Sequence, residues 1–242
     1  MFINKNEYYE VNTLSDFGLT AVYSTVKAGS PAPYNNPNGL EELNSLISLL
    51  KKSDKTLIYA KQTHSDNIEV IDDIIKESYE DVDGFITKRK DVLFATFYAD
   101  CLPIYIYDKK KEIIGLCHSG WVGTFKGIGP KMLDIFTSKF NSNKNDLVIA
   151  LGIGIGHCCY EVSQDFYDKF KSISSDDLVN KSFYRKKDKL FFDNEDYNYY
   201  RFKELGITNI TKSKKCTYCS DEFHSYRRDK ENAGRNTAIL SF

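Results

Sequence analysis

The stretch ADCLPIYIYDKKKEIIGLCHSGWVG (99–123) decides the fold. Ile104 to Tyr107 and Glu112 to Cys117 read as two strands, joined by the turn at residues 108–111. So short a connection leaves room for little but an antiparallel hairpin. Cys101 heads the first apolar run and His118 ends the second, so the outer ends of the hairpin carry two soft metal ligands.

Working outward, a loop over 27–39 precedes a helix over 40–52 that carries Leu or Ile at 40, 43, 46, 47 and 50. Strands follow over 56–62 and 67–72, then a turn-like DVDGFIT (81–87), then a strand over 91–99 that enters the hairpin. After Gly123 comes a helix that Pro130 should kink or restart. A strand over 146–154 ends in a glycine-spaced turn, followed by HCCYEV and a helix near 163–173. A charged, poorly patterned segment leads to a helix over 197–206, a strand over 209–216 and a Gly/Arg-rich closing stretch. Strands and helices intersperse without regular βαβ alternation, which predicts an α+β fold with a mixed sheet. No repeat, linker or boundary is visible, so residues 1–242 are expected to form one domain.

At 242 residues and 41% hydrophobic, the chain can bury a proper core. A net charge of −1 offers no electrostatic footprint for nucleic acid or an anionic membrane. The first residues lack an apolar signal core, and no run approaches the ~20 apolar residues that span a bilayer, so a cytoplasmic protein is expected. Six cysteines are too sparse for a disulfide scaffold and read as buried thiols or metal ligands.

The four histidines are His64, His118, His157 and His224. His64 in KQTHSDN (61–67), Cys101 in YADCLP (98–103) and His118 each stand at a strand end, and three such ends can converge on one sheet edge. Two His and one Cys suit a zinc site whose fourth position is open. On the residues alone, the competing reading is a buried thiol and two loop histidines with ordinary hydrogen bonds. The Cys216–Cys219 CxxC lacks a second ligand pair in sequence and reads as a buried thiol pair; His157-Cys158-Cys159 could in principle complete it. Cys158, Cys159, Cys216 and Cys219 are therefore expected to be reduced and clear of the catalytic metal. GIGIG (152–156) does not fit the dinucleotide spacing. Of the adjacent Arg227 and Arg228, one should face the site as an anion contact. Trp121 is open to either a core or a stacking role.

QTH (62–64), DVDGFIT (81–87), ADCLP (99–103), CHSGWVGT (117–124), GIGHCCYEV (154–162) and CTYCSDEFHSYRRDKENAGRNTAIL (216–240) occur in the order seen in the YfiH family. That family is labelled polyphenol oxidase or laccase domain and is associated with purine nucleoside phosphorolysis. The resemblance implies a layered sandwich similar to toxin deamidases and a zinc centre of His64, Cys101 and His118. It also implies nucleoside and phosphate as ligands; the contacts expected in this chain are Gln62, Lys27 and one of Arg227 and Arg228, and deamination would need a carboxylate near the metal, for which Asp100 and Asp83 are available. The expected activity is phosphorolysis of adenosine, inosine or methylthioadenosine, with adenosine deamination beside or instead of it. The alternative is a hydrolase or amidase acting in peptidoglycan precursor editing, with Cys101 as nucleophile and His118 as base. Copper oxidation of phenols is the third class, since His₂Cys is also a blue-copper set. With Met1 and Met132 the only methionines and four histidines in all, imidazoles are too few for a multicopper cluster as well.

Two departures from the family stand out. Its H-x-G-W-R-G has Val122 at the arginine, and its S-T-R-x-G-G has Val26 at the arginine and Ala28 at the first glycine. Guanidinium groups suit phosphate. Phosphate is therefore expected to bind weakly, and deamination to outlast phosphorolysis, unless Lys27, Arg227 or Arg228 holds the anion.

Overall fold

A computed structural model describes residues 2–73 and 76–242. Numbering elements in chain order, β9 (Leu102–Asp108) and β10 (Ile113–Ser119) form the expected antiparallel hairpin, with Ile104 opposite Cys117 and Pro103 opposite His118. They are the centre of a six-stranded sheet. On one side lie β11 (Leu147–Leu151) and β15 (Ile210–Lys212); on the other lie β7 (Gly84–Thr87) and β5 (Ile68–Ile71). The outer pairs β11–β15 and β5–β7 are parallel, so the sheet is mixed.

A second sheet runs β1 (Phe2–Asn4), β2 (Tyr8–Val11), β3 (Thr20–Ser24), β16 (Asn236–Ser241), β8 (Val92–Tyr98), β4 (Thr56–Lys61), β6 (Ser78–Glu80). The period of two along each strand assigns every side chain to a layer. Val92, Phe94 and Tyr98 of β8 meet Tyr105 and Tyr107 of β9 and Ile114 and Leu116 of β10 between the sheets. The Tyr105 hydroxyl crosses that layer and donates to the Val22 carbonyl at 2.7 Å. Leu93, Ala95 and Phe97 face outward under α2 (Gly39–Leu49), which covers them with Leu43, Leu46 and Ile47. Ile104, Ile106 and Cys117 face the other way, under α4 (Ile128–Ser138) and α7 (Asn194–Glu204). The result is four layers, helix–sheet–sheet–helix. Every residue of β8, β9, β10 and β16 is buried. Burying a large apolar side chain stabilises the fold by ~1.5–3 kcal/mol, so these central strands dominate it.

A separate aromatic cluster includes Phe170, Phe183, Phe192 and Tyr197. It joins α5 (Gln164–Lys171) and α6 (Asp176–Ser182) to a small sheet of β12 (Glu161–Val162), β14 (Lys189–Phe192) and β13 (Phe183–Lys186).

Several local expectations need correction. DVDGFIT is a turn only at its start; Gly84–Thr87 is β7, paired on both sides. The helix break falls at Gly127, whose φ of +83° ends α3 (Trp121–Lys126) before Pro130 is reached. Pro130 then sits in the first turn of α4, where its missing N–H costs little. The charged segment holds α6 and a hairpin, and the closing stretch runs through a short helix α8 (Tyr226–Asp229) into β16. Among the described residues no helix is long and apolar enough to cross a membrane.

Candidate active site

The positions of His64, Cys101 and His118 follow from how the two sheets meet. β4 ends just before His64, β8 passes to β9 through Ala99-Asp100-Cys101, and β10 ends at His118-Ser119. These three chain ends share one edge of the sandwich. His64 (φ +61°) and Asp100 (φ +84°) both adopt the left-handed backbone region.

His64, Cys101 and His118 bring their ligand atoms within 4.8 Å of one another, with His64 Nε2 at 3.6 Å from Cys101 Sγ. His118 is 3% exposed, and its Nδ1–H donates to Asp83 Oδ1 at 2.7 Å. A carboxylate can only accept, so this bond keeps a proton on Nδ1 and leaves Nε2 as the nitrogen available to a metal. Asp83 is itself fully buried and accepts from the Ser65 hydroxyl (2.7 Å), the Ser65 amide (2.8 Å) and the Thr63 and His64 amides (3.2 Å each). Burial would raise its pKa, but the bonds from His118 and Ser65 outweigh that and hold it below the usual carboxylate range.

Burial would also push the Cys101 thiol up, yet the charge of His118, with hydrogen bonds from both histidines, brings it down to about 6. For His118, burial opposes the charge, while the Cys101 sulfur and Asp83 raise it to about 9. Cys117 lies nearby without such partners, and burial drives its thiol up. Gly120 completes the setting: a Cβ there would stand 2.5 Å from His64 Cδ2 and 3.1 Å from Cys101 Sγ. Two imidazoles and a thiolate-biased sulfur, converging where the backbone leaves space, fit a three-ligand zinc site.

These groups lie at the floor of a cavity of about 610 Å³, a size that suits a small organic ligand. Tyr34, Phe97, Trp121 and Tyr160 supply aromatic walls, and Lys61, Arg227, Lys230 and Arg235 supply cations. Trp121 is thus at the cavity rim, 37% exposed, rather than in the core.

The other expected residues divide. Arg227 lines the cavity, with its guanidinium over Tyr160 at 5.1 Å. Arg228 does not; it donates to the carbonyls of Phe223 (2.7 Å), Ser220 (3.1 Å) and Thr217 (3.2 Å) and pairs with Asp229. Lys27 is also elsewhere: its ammonium donates to Asn6 Oδ1, and it faces a groove containing Glu41 and Glu42. Asp100 lines the cavity, but its carboxylate accepts from Thr217 Oγ1 (2.5 Å) and the Arg227 amide (2.6 Å), so it clamps two loops. Gln62 also lines the wall, with its amide bonded to the Phe97 amide (2.7 Å) and carbonyl (3.0 Å).

A family model described as multi-copper polyphenol oxidoreductase laccase matches residues 22–242. The chain belongs to that family. The YfiH resemblance of the motifs is thereby confirmed. A hypothetical protein YfiH from Bacillus licheniformis has the same fold, with a TM-score of 0.92 at 25% identity, over 100% of this chain and 98% of that one. YlmD from Geobacillus stearothermophilus shares the fold with a TM-score of 0.88 at 22% identity, over 98% and 97% of the two chains. A Borreliella burgdorferi protein named purine nucleoside phosphorylase is 42% identical over 80% of this chain and 83% of its own length. A Clostridium acetobutylicum protein of the same name is 32% identical over 99% of both.

In this YfiH-family chain the multi-copper description finds few spare imidazoles. His157 pairs with Asp193 (2.8 Å) and His224 bonds the Gly29 carbonyl (2.9 Å). Met132 is buried under the outer face of the hairpin sheet, and Met1 lies outside the described residues. In the sequence Asp83 is one of two carboxylates available near the metal, and Arg235 has no signal beyond its place in the closing NAGR. Asp83→Asn should lower zinc affinity at this site by ~10–100-fold, because the amide takes the Nδ1–H less strongly. Competition against a chelator measures this, and an affinity within twofold of the parent would remove Asp83 as the orienting group.

Proposed function

We propose that this chain is a zinc-dependent purine nucleoside phosphorylase, and that adenosine deamination is at most a second activity of the same cavity. The observation that carries this reading is the juxtaposition of the His64–Cys101–His118 floor with a wall of cations and aromatic rings. The relatives named purine nucleoside phosphorylase support it. Four cations on the wall alter the expectation drawn from Val26 and Val122: the anion has other partners, so phosphorolysis is retained.

In this reading His64, Cys101 and His118 hold the zinc, which when bound supplies a Lewis acid at the cavity floor. The residues of the chain do the rest. Arg227, Lys230 and Arg235 draw phosphate to the wall and neutralise it. The purine stacks among Trp121, Tyr160 and Phe97, where aromatic faces exclude water. Phosphate oxygen forms the bond to C1′ while the C1′–N9 bond breaks and its electron pair leaves with the base. The cationic wall stabilises the phosphate as it aligns with the oxocarbenium-like carbon. Asp100 keeps the Arg227 backbone in place by accepting its amide hydrogen.

Product analysis of adenosine across a phosphate titration tests this. Adenine release should rise and saturate with phosphate, and exceed inosine release. Arg227→Ala should raise the phosphate KM by ~10–100-fold, since a charged hydrogen bond contributes ~1.5–3 kcal/mol. Zinc-loaded protein that yields inosine alone at every phosphate concentration would assign the cavity to deamination. A second reading rests on one observation: the low pKa of Cys101 beside His118 is also that of a thiolate nucleophile. Full activity in protein stripped of zinc would favour it.

A further inference from the structure

Four cysteines that no part of the proposed chemistry uses converge on one point 60 residues apart in sequence. β11 and β15 are parallel neighbours, so the loops that leave them emerge side by side. The pairing continues past the strands as an isolated parallel bridge between Gly154 and Cys216, with the Thr217 amide donating to the Gly154 carbonyl at 3.0 Å. The first loop then turns at Gly156 and presents Cys158 and Cys159; the second presents Cys216 and Cys219. This supplies the second ligand pair that the sequence lacks around its CxxC, and corrects the expectation of a buried thiol pair, for Cys158 and Cys219 are exposed.

The four Sγ atoms lie within 4.8 Å of one another, with Cys159–Cys219 at 3.2 Å and Cys158–Cys219 at 3.4 Å. A disulfide would need about 2.05 Å, and all six cysteines are free thiols. Sulfurs around one tetrahedral zinc, with Zn–S bonds of about 2.3 Å, stand about 3.8 Å apart, within the range seen. An iron–sulfur cluster would spread its four thiolates over separate irons and hold them farther apart. The Gly156 amide donates to Cys216 Sγ at 3.3 Å, and a Cβ on Gly156 would come within 3.5 Å of Cys158 Sγ. Arg228 braces the second loop through the carbonyls of Thr217 and Ser220, on either side of Cys219.

We infer that Cys158, Cys159, Cys216 and Cys219 form a second, structural zinc site that staples the loop after β11 to the loop after β15. Binding deprotonates the thiols and releases their protons to solvent. Both stapled loops build the cavity: Ile155 and Tyr160 line it from the first, and Thr217 in the second holds Asp100. The site is closed, with four protein ligands, and so is structural rather than catalytic.

The test is zinc content per chain after dialysis, together with the cobalt spectrum. The parent should hold two zinc ions, His118→Ala one, and Cys219→Ser one. Cobalt loaded into His118→Ala should give the intense sulfur charge-transfer bands of a four-thiolate tetrahedral site. If Cys219→Ser does not fold, that spectrum decides alone. One zinc in the parent that His118→Ala removes would overturn the inference, as would iron in place of zinc or an intact mass showing a disulfide among the four. None of these readouts depends on which reaction the cavity performs.

Discussion

Replacing His118 by Ala should strip zinc from the cavity floor and lower adenosine turnover by ~10³-fold or more. Lewis-acid stabilisation is worth several kcal/mol, and each 1.36 kcal/mol is tenfold in rate. The substitution removes more than one ligand. Asp83 loses its one cationic partner and is left buried with a charge that only the Ser65 hydroxyl and the amides of Thr63, His64 and Ser65 still satisfy. Leaving a buried group so exposed to its own desolvation costs ~1–3 kcal/mol, and more when it is charged, so Tm should also fall. His118→Gln separates the two effects, since an amide can still donate to Asp83 yet is a poor zinc ligand. It should recover most of the Tm and little of the turnover. Turnover within tenfold of the parent in either variant would rule out the metal centre as the seat of the reaction.

A single methyl group should have an effect of comparable kind. Gly120 has φ −68° and ψ 170°, a backbone that any residue adopts, so alanine brings no conformational strain there. Its Cβ would nevertheless stand 2.5 Å from His64 Cδ2, and the His64 ring must move away. Gly120→Ala should therefore weaken zinc binding at the floor by ~10²-fold or more, while Tm stays close to the parent because alanine restricts the unfolded chain. The pairing of normal stability with lost metal is the signature to look for. Full zinc occupancy at the His64–Cys101–His118 site in Gly120→Ala would show that this glycine is not a packing constraint on the ligands.

The parts of this molecule legible in its sequence are those that local chain chemistry dictates. The hairpin of β9 and β10 could be read because apolar runs flank a short charged turn, and its outer ends do carry Cys101 and His118. The parts that were not legible depend on neighbours brought from far away. β7 is four residues long and is a strand because β5 and β10 flank it, which its own sequence cannot announce. Asp83 gains its role only when that strand sets it against His118. Arg227 and Arg228 are indistinguishable by composition; a turn of helix at 226–229 sends one to the cavity and the other under a loop. Lys27 lies away from the cavity for the same reason, since its helical turn points it at Asn6. The sequence offers Cys158 and Cys159 only as one possible completion of the CxxC, because β11 and β15 are parallel neighbours, a relation invisible in either strand alone.

The position of β16 has a consequence for how a newly made chain matures. It follows the other fifteen described strands in sequence, yet it lies between β3 and β8, pairing Ala238 with Tyr23 on one side and with Thr96 on the other. Until it emerges, the seven-stranded sheet is two fragments, each with an open edge able to pair with another chain. The same segment carries Arg235 onto the cavity wall and anchors it through Asn236, which exchanges hydrogen bonds with the His224 backbone at 3.0 and 2.9 Å. A nascent polypeptide halted before residue 236 thus has Cys101, His64 and His118 but no finished cavity around them.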